Sequence, residues 1–328
     1  MSTKTLANAL DFDPAREVER IGASIRDLLR SKINRRGLVV GISGGVDSAV
    51  SAALCVKALG ANKVFGLLMP EQDSAPGTTP LGEVVAQHLG IAYEIKNISA
   101  TLAAIGCYEW RDAAIKKLFP AYDGSWKNKI VIDGGAQGKI NHFKLVVQSP
   151  DGQLHSAILP LTEYLTIVAA TNFKQRIRKT TEYFHAERLN YAVIGTPNRL
   201  EYDQGFFVKG GDGLADIKPI AHLYKTQVYA LARFLQLPEA ICNAIPSTDT
   251  YSLQQGQDEF YFALPYQKMD IALWAYNHQI PAEDVAQTLN ISVEQVQFVF
   301  KDIASKRKTT AYLHMSAQLV EPVDLNGH

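Results

Sequence analysis

Gly37-Leu38-Val39-Val40-Gly41-Ile42-Ser43-Gly44-Gly45-Val46-Asp47-Ser48 decides how this chain folds. Its first half is a short apolar run bounded by glycines, without polar alternation. That suits a strand buried on both faces of a parallel sheet. Its second half is a glycine-rich turn opening an alanine-rich helix, predicted over about 48–59. Gly44 and Gly45 let the backbone turn tightly and approach an anion where a Cβ would obstruct it. Free N–H groups at the helix start favour negative charge, and Ser43 and Ser48 add hydroxyl donors. Asp47 is a carboxylate in the same place, which is repulsive unless a cation such as magnesium lies between it and the anion. Gly41, Ser43, Gly44, Gly45, Val46, Asp47 and Ser48 are therefore candidate phosphate-binding residues. The turn lacks the lysine of GxxxxGK[ST], which disfavours a Walker-type kinase or GTPase.

Working outward, residues 15–31 carry apolar positions at helical spacing, 63–69 and 93–98 read as strands, and 81–89 as a helix. The resulting βαβαβ alternation predicts an α/β fold with a doubly wound parallel sheet. Residues 119–159 break the rhythm with Lys129-Ile130-Val131-Ile132, alternation over 142–147 and a Pro150-Asp151-Gly152 turn, and read as a β-rich insertion. Helical spacing returns over 161–186, residues 191–194 read as a fourth strand, and the chain from about 223 is a mainly helical lobe. The expected organisation is one domain over 15–118 and 160–310, the insertion at 119–159, and a tail at 311–328 that is polar and loose at its end.

Thirty-three basic and thirty-three acidic residues among 328 leave no net charge, hence no general pull toward nucleic acid or membrane. Residues 285–296 superficially resemble a helix-turn-helix, but no arginine-rich recognition helix accompanies them. Three scattered cysteines form no CxxC pattern and read as reduced, buried thiols. With no signal-peptide-like N-terminus and no apolar run long enough for a bilayer, a cytoplasmic protein is expected.

Chemistry-bearing residues recur in the second half: Asn172-Phe-Lys174-Gln-Arg176-Ile-Arg178 with Tyr183 beyond, then Gly195-Thr196-Pro-Asn198-Arg-Leu-Glu201, then Gly205-Phe206-Phe207-Val-Lys209-Gly-Gly-Asp212-Gly-Leu-Ala-Asp216, then Lys218 and Lys225. Glu201 follows a strand end, where open α/β sheets place ligands, and could share a magnesium ion with Asp47. Lys209, among glycines, could neutralise a leaving pyrophosphate. Asp212 in the same loop suggests a lid that excludes water. Thr196 and Lys225 would contact phosphate or substrate, and Lys174 and Arg176 an anionic ligand. Bland readings stand beside these. Arg178 and Lys179 equally suit a solvated helix face, Phe206 and Phe207 equally suit packing, and Asp216 could cap a helix.

The Ser43–Ser48 turn resembles the PP-loop of the ATP pyrophosphatase superfamily, and all the blocks together, in order and spacing, resemble the ammonia-dependent NAD synthetases. The resemblance implies an adenine nucleotide alpha hydrolase-like fold, ATP as co-substrate and magnesium held by Asp47 and Glu201. It implies adenylation of a carboxylate followed by attack of ammonia. Asp47, Glu201 and Lys209 would be catalytic, and Thr196, Lys225 and Ser247 would join the ATP site. Asn172, Arg176 and Tyr183 would serve a dinucleotide, Asp216 the nicotinate or ammonia end, with Asp212 and Lys306 also on substrate; surface solubility is the rival reading of 306–308. Nicotinic acid adenine dinucleotide is the implied acceptor, a homodimer the implied assembly, and free ammonia or a separate glutaminase the nitrogen source. Val168 stands where the family has an aromatic residue that stacks on the pyridine ring, and Val208 and Leu214 replace a usual Thr and Gly. The alternatives are the same chemistry on another carboxylate, a tRNA-modifying PP-loop enzyme and an ATP-binding regulatory protein.

Overall fold

A computed structural model of the chain describes residues 6–133, 142–244, 251–253, 261, 262 and 264–323. Its strands, in chain order, are β1 (Leu38–Gly41), β2 (Val64–Leu68), β3 (Ala92–Ile95), β4 (Lys127–Asp133), β5 (His142–Gln148), β6 (Leu154–Ile158) and β7 (Ala192–Ile194). Four of them form a parallel sheet in the order β3-β2-β1-β7. The other three form an antiparallel sheet in the order β4-β5-β6.

The unbroken apolar run of β1 has a direct cause in this topology. Leu38 and Val40 face a core built with the helices Pro14–Leu28 and Val46–Leu59. Val39 faces the opposite core, with Leu67, Leu102, Ala186 and Val193. Both sheet faces are covered, so alternation is lost. From β1 the chain steps to β2 and β3 on one side and returns with β7 on the other. This reversal opens a crevice beyond the carboxyl ends of β1 and β7, where such sheets take their ligands. β3 ends at Ile95, earlier than the alternation suggested, although Lys96 and Ile98 still donate to the Leu68 and Pro70 carbonyls at 2.8 and 3.0 Å.

The insertion is a three-stranded meander with a core of its own. Ile130, Leu145 and Val147 on its inner face pack with Ala114, Ile115, Tyr122 and Ile167. The last of these lies on the 29-residue helix Leu161–Leu189. Leu253 N donates to the Asn128 carbonyl at 3.0 Å, and Asn128 N to Ser252 Oγ at 2.9 Å, tying the meander to residues 251–253. Beyond the sheet, the helices Tyr266–Asn277, Ala282–Leu289 and Val293–Thr310 share a separate core. The helix-turn-helix-like stretch belongs to it: Val285, Leu289 and Val296 are buried there, and Asn290 turns the chain at φ 50°. No helix among the described residues is long and apolar enough to cross a membrane.

Candidate active site

The glycine-rich turn is held by its own hydroxyls. Ser48 Oγ donates to the Gly45 carbonyl at 2.9 Å and accepts from Ser43 N at 3.2 Å. Gly45 N donates to Ser43 Oγ at 3.3 Å. Gly44 sits at φ +81°, and a Cβ there would lie 2.6 Å from the Thr78 carbonyl oxygen. The helix Val46–Leu59 starts without a side-chain cap, which leaves its first N–H groups facing the crevice end of β1.

Asp47, in the first turn of that helix, meets residues from far along the chain. Its Oδ2 accepts from the buried ammonium of Lys225, and its Oδ1 from Asn198 Nδ2 at 3.1 Å. Asn198 opens the short helix Arg199–Gln204, and Glu201 Oε2 accepts from Asn198 N at 3.1 Å. Burial opposes the charge on Lys225, but Asp47 and then Glu201 outweigh it and hold the ammonium well above the usual lysine range. Two carboxylates and one cation thus converge beside the turn, at the mouth between β1 and β7.

Asp270 supports this cluster from behind. It accepts from Thr226 N at 2.7 Å and Lys225 N at 3.3 Å, satisfying the start of the helix Lys225–Phe234. Burial pushes its carboxyl up to about 6. A folded-state value above the unfolded one adds stability that is complete below about pH 4 and is lost as pH rises through about 6. Urea unfolding of wild type should therefore show a decline of roughly 3 kcal/mol between about pH 4 and 7 that Asp270→Asn lacks. Parallel pH profiles for the two proteins would contradict it.

The remaining candidates are placed unevenly. Thr196 is half-buried just beyond β7. Lys209 Nζ donates to the carbonyls of Tyr312 and Met315 at 2.8 and 3.0 Å, so residues 311–315 are fastened to the 205–213 loop. His314 reinforces this by packing edge-on against Tyr202 and Phe207. Arg176 is exposed and donates to the Lys209 carbonyl at 3.3 Å. Asp212 is turned inward, accepting from Val208 N at 2.6 Å, and burial raises its carboxyl. Asp216 caps no helix; its Oδ2 accepts from Val193 N at 2.7 Å and its Oδ1 from the Tyr183 hydroxyl at 3.2 Å. Tyr183 borders a shallow recess of about 350 Å³ with Lys179, Phe184, Gly210 and Leu214. Asn172 is half-buried on the long helix. Lys306 donates to the Tyr261 carbonyl and to Asp302 Oδ2 at 2.6 Å, an internal strut that differs from the solvated surface considered for it. Ser247 lies outside the described residues.

Two lysines depart from their sequence readings. Lys179 is no solvated face: it is buried and pairs with Glu182 at 2.6 Å. Glu182 also lies so near Gly41 that a Cβ there would sit 2.9 Å from its Oε1. Lys174 points inward too, 2.6 Å from Asp73 and 3.0 Å from Glu71, and so is committed to protein carboxylates. Arg111 completes that network on Asp73, and Tyr108 OH donates to Glu71 at 2.9 Å. Asn198 lies within the Gly195–Glu201 block but has no role of its own in the sequence reading; in the structure it forms a capping box with Glu201 and also reaches Asp47. Of the cysteines, burial raises Cys107 to about 11, unsuited to a nucleophile.

Among the described residues no group of three or more His, Cys, Asp or Glu gathers as a metal cage. Two hard-oxygen carboxylates beside a phosphate-type turn fit magnesium, which takes one or two carboxylates and completes its shell with phosphates and water.

A profile described as NAD synthase matches residues 17–119 and 141–311. The chain belongs to the NAD synthase family. The NH(3)-dependent NAD(+) synthetase of Rhizobium meliloti (strain 1021) is 54% identical over 319 residues, 97% of this chain and 95% of that one. The synthetase of the same name from Thermotoga neapolitana is 36% identical over 290 residues, 88% and 93% of the two chains. The profile passes over 120–140, the stretch that holds β4, and covers β5 and β6. Among solved structures, NMN synthetase from Francisella tularensis superposes with a TM-score of 0.63 at 22% identity, covering 94% of this chain and 99% of that one. The NH3-dependent NAD synthetase from Campylobacter jejuni gives 0.61 at 23% identity, covering 94% and 100%. At such identities the likeness speaks for the fold alone.

Proposed function

We propose that this chain converts nicotinic acid adenine dinucleotide, ammonia and ATP to NAD, AMP and pyrophosphate. The observation that carries the reading is the convergence of Asp47, Asn198, Glu201 and Lys225 beside an uncapped phosphate-type helix start, at the switch point of a NAD synthase-family sheet. The acceptor carboxylate attacks the α-phosphorus of ATP, and pyrophosphate leaves toward the N–H groups of 44–48 and the ammonium of Lys225. Asp47 and Glu201 would hold magnesium, which neutralises phosphate charge when bound. Ammonia then attacks the acyl-adenylate carbonyl, the C–N bond forms, AMP departs with the C–O bond, and the released proton passes to solvent. For Lys209 to reach the phosphates its ammonium must exchange the Tyr312 and Met315 carbonyls for them. The dinucleotide lies along Asn172, Arg176, Tyr183 and Asp216, in a homodimer whose contact includes exposed Phe184 on the long helix (61% exposed). Ammonia is free or delivered by a separate glutaminase, in a cytosol that keeps the three cysteines reduced.

Incubation with magnesium, ATP, ammonium and nicotinic acid adenine dinucleotide should give NAD and AMP in equal amounts. Asp47→Asn should lower that rate on the order of 10²- to 10³-fold. No NAD from a folded, ATP-binding protein would move the assignment to another carboxylate. That second reading has one observation behind it: Val168 is packed against the core of the insertion, so the meander borders the helix proposed for the acceptor.

A further inference from the structure

We propose that Asn198 is a positioning residue that fixes Asp47 and Glu201 relative to each other and so sets the affinity for the divalent cation. The inference rests on the magnesium reading of those two carboxylates. Asn198 is 1% exposed, and every polar atom of its side chain has a partner. Its Oδ1 accepts from Leu200 N at 2.9 Å and Glu201 N at 3.3 Å. Its Nδ2 donates to Asp47 Oδ1 at 3.1 Å. The amide orientation is forced by chemistry, because backbone N–H groups only donate and an ionised carboxylate only accepts. Through its own backbone N the same residue donates to Glu201 Oε2 at 3.1 Å.

One residue therefore holds a carboxylate from each side of the switch point. Asp47 comes from the helix after β1, and Glu201 from the helix after β7. Asp47 Oδ2 faces Lys225, so Asn198 is what orients the other oxygen. Serine at this position would still cap the short helix, and glycine, though it has no side-chain acceptor, is tolerated at a helix start at little cost. Neither carries an amide to reach Asp47, and aspartate would set a second negative charge against it. Partners that orient carboxylate ligands typically change metal affinity 10- to 100-fold when removed.

The test measures Mn²⁺ binding by electron paramagnetic resonance in the presence of α,β-methylene-ATP, which cannot be cleaved at that bond. Wild type, Asn198→Ser, Asn198→Gly and Asp47→Asn are compared, with thermal melts of each. We expect both Asn198 variants to melt close to wild type and to bind Mn²⁺ about 10- to 100-fold more weakly. The Mg²⁺ concentration for half-maximal NAD formation should rise in step, with most of kcat recovered at saturating Mg²⁺. Wild-type Mn²⁺ affinity in a folded Asn198 variant, alongside lost affinity in Asp47→Asn, overturns the role of Asn198 alone. Unchanged affinity in Asp47→Asn overturns the magnesium reading and this inference with it.

Discussion

Lys174→Met lowers the unfolding free energy by about 3–5 kcal/mol, the usual consequence of removing one partner from a buried ion network. The lysine is 1% exposed, and its ammonium lies 2.6 Å from Asp73 Oδ2 and 3.0 Å from Glu71 Oε1. Methionine preserves the length and bulk of the side chain, so little of the effect comes from a cavity. What changes is that Glu71 keeps only neutral donors while Asp73 retains the Arg111 guanidinium. For Asp73, burial favours the neutral acid, but Lys174 and then Arg111 outweigh it and hold the carboxyl below the usual range. A depressed folded value contributes stability that is present above the unfolded value of about 3.9 and is lost as pH falls through the folded one. The variant should therefore be weakest relative to wild type at neutral pH, with the gap narrowing below about pH 4. Urea denaturation at pH 7 and at about pH 3 measures both parts. A difference under about 1 kcal/mol at pH 7 would mean the network is solvated like a surface pair.

Gly44→Ala lowers kcat/KM for ATP on the order of 10²-fold, with a smaller loss of stability than Lys174→Met. Alanine at φ +81° adds left-handed strain of roughly 1–2 kcal/mol. Its Cβ would also meet the Thr78 carbonyl oxygen at 2.6 Å and Leu81 Cβ at 3.0 Å, neither of which is the end of a flexible chain. Either the turn or the start of the helix Thr78–His88 must shift. Displacements of about 1 Å in a positioning element typically reduce rate on the order of 10²-fold, and that is the expected fall in kcat/KM for ATP. Gly77→Ala is the matched control, because nothing lies within 4 Å of its added Cβ and its φ is ordinary. Equal kinetics in the two variants would show that the turn tolerates displacement.

Much of this architecture was readable because its signals are local. The apolar run of β1 and the turn after it specify their own geometry, and the alternation over 142–147 announces the meander. The candidate site was readable from residue type and from the order and spacing of its motifs, but not contact by contact. Asp47 and Lys225 are 178 residues apart, and no local pattern states that they meet. A buried lysine and a ligand-binding lysine are the same letter, so Lys174 could be read as a cation for a dinucleotide. The clue it left is the pair Glu71 and Asp73 directly after β2, acids in a loop that needs a buried counter-charge. The hold of residues 311–315 on Lys209 was likewise unreadable, since it uses carbonyl oxygens that every residue carries.

The place of β7 beside β1 also bears on how the chain comes to be folded. The first three strands can pair as they emerge during synthesis, whereas the flank of β1 that takes β7 stays open until nearly two hundred residues exist. The nucleotide-binding capacity of the nascent protein appears late, when Asn198, Glu201 and Lys225 arrive together. Closing so long a segment is governed by a logarithm of its length, each doubling adding only about 0.6 kcal/mol. Between β3 and β7 an extra meander therefore adds almost nothing to the entropy of closure, whereas the same residues placed in the tight turn after β1 would dismantle the site.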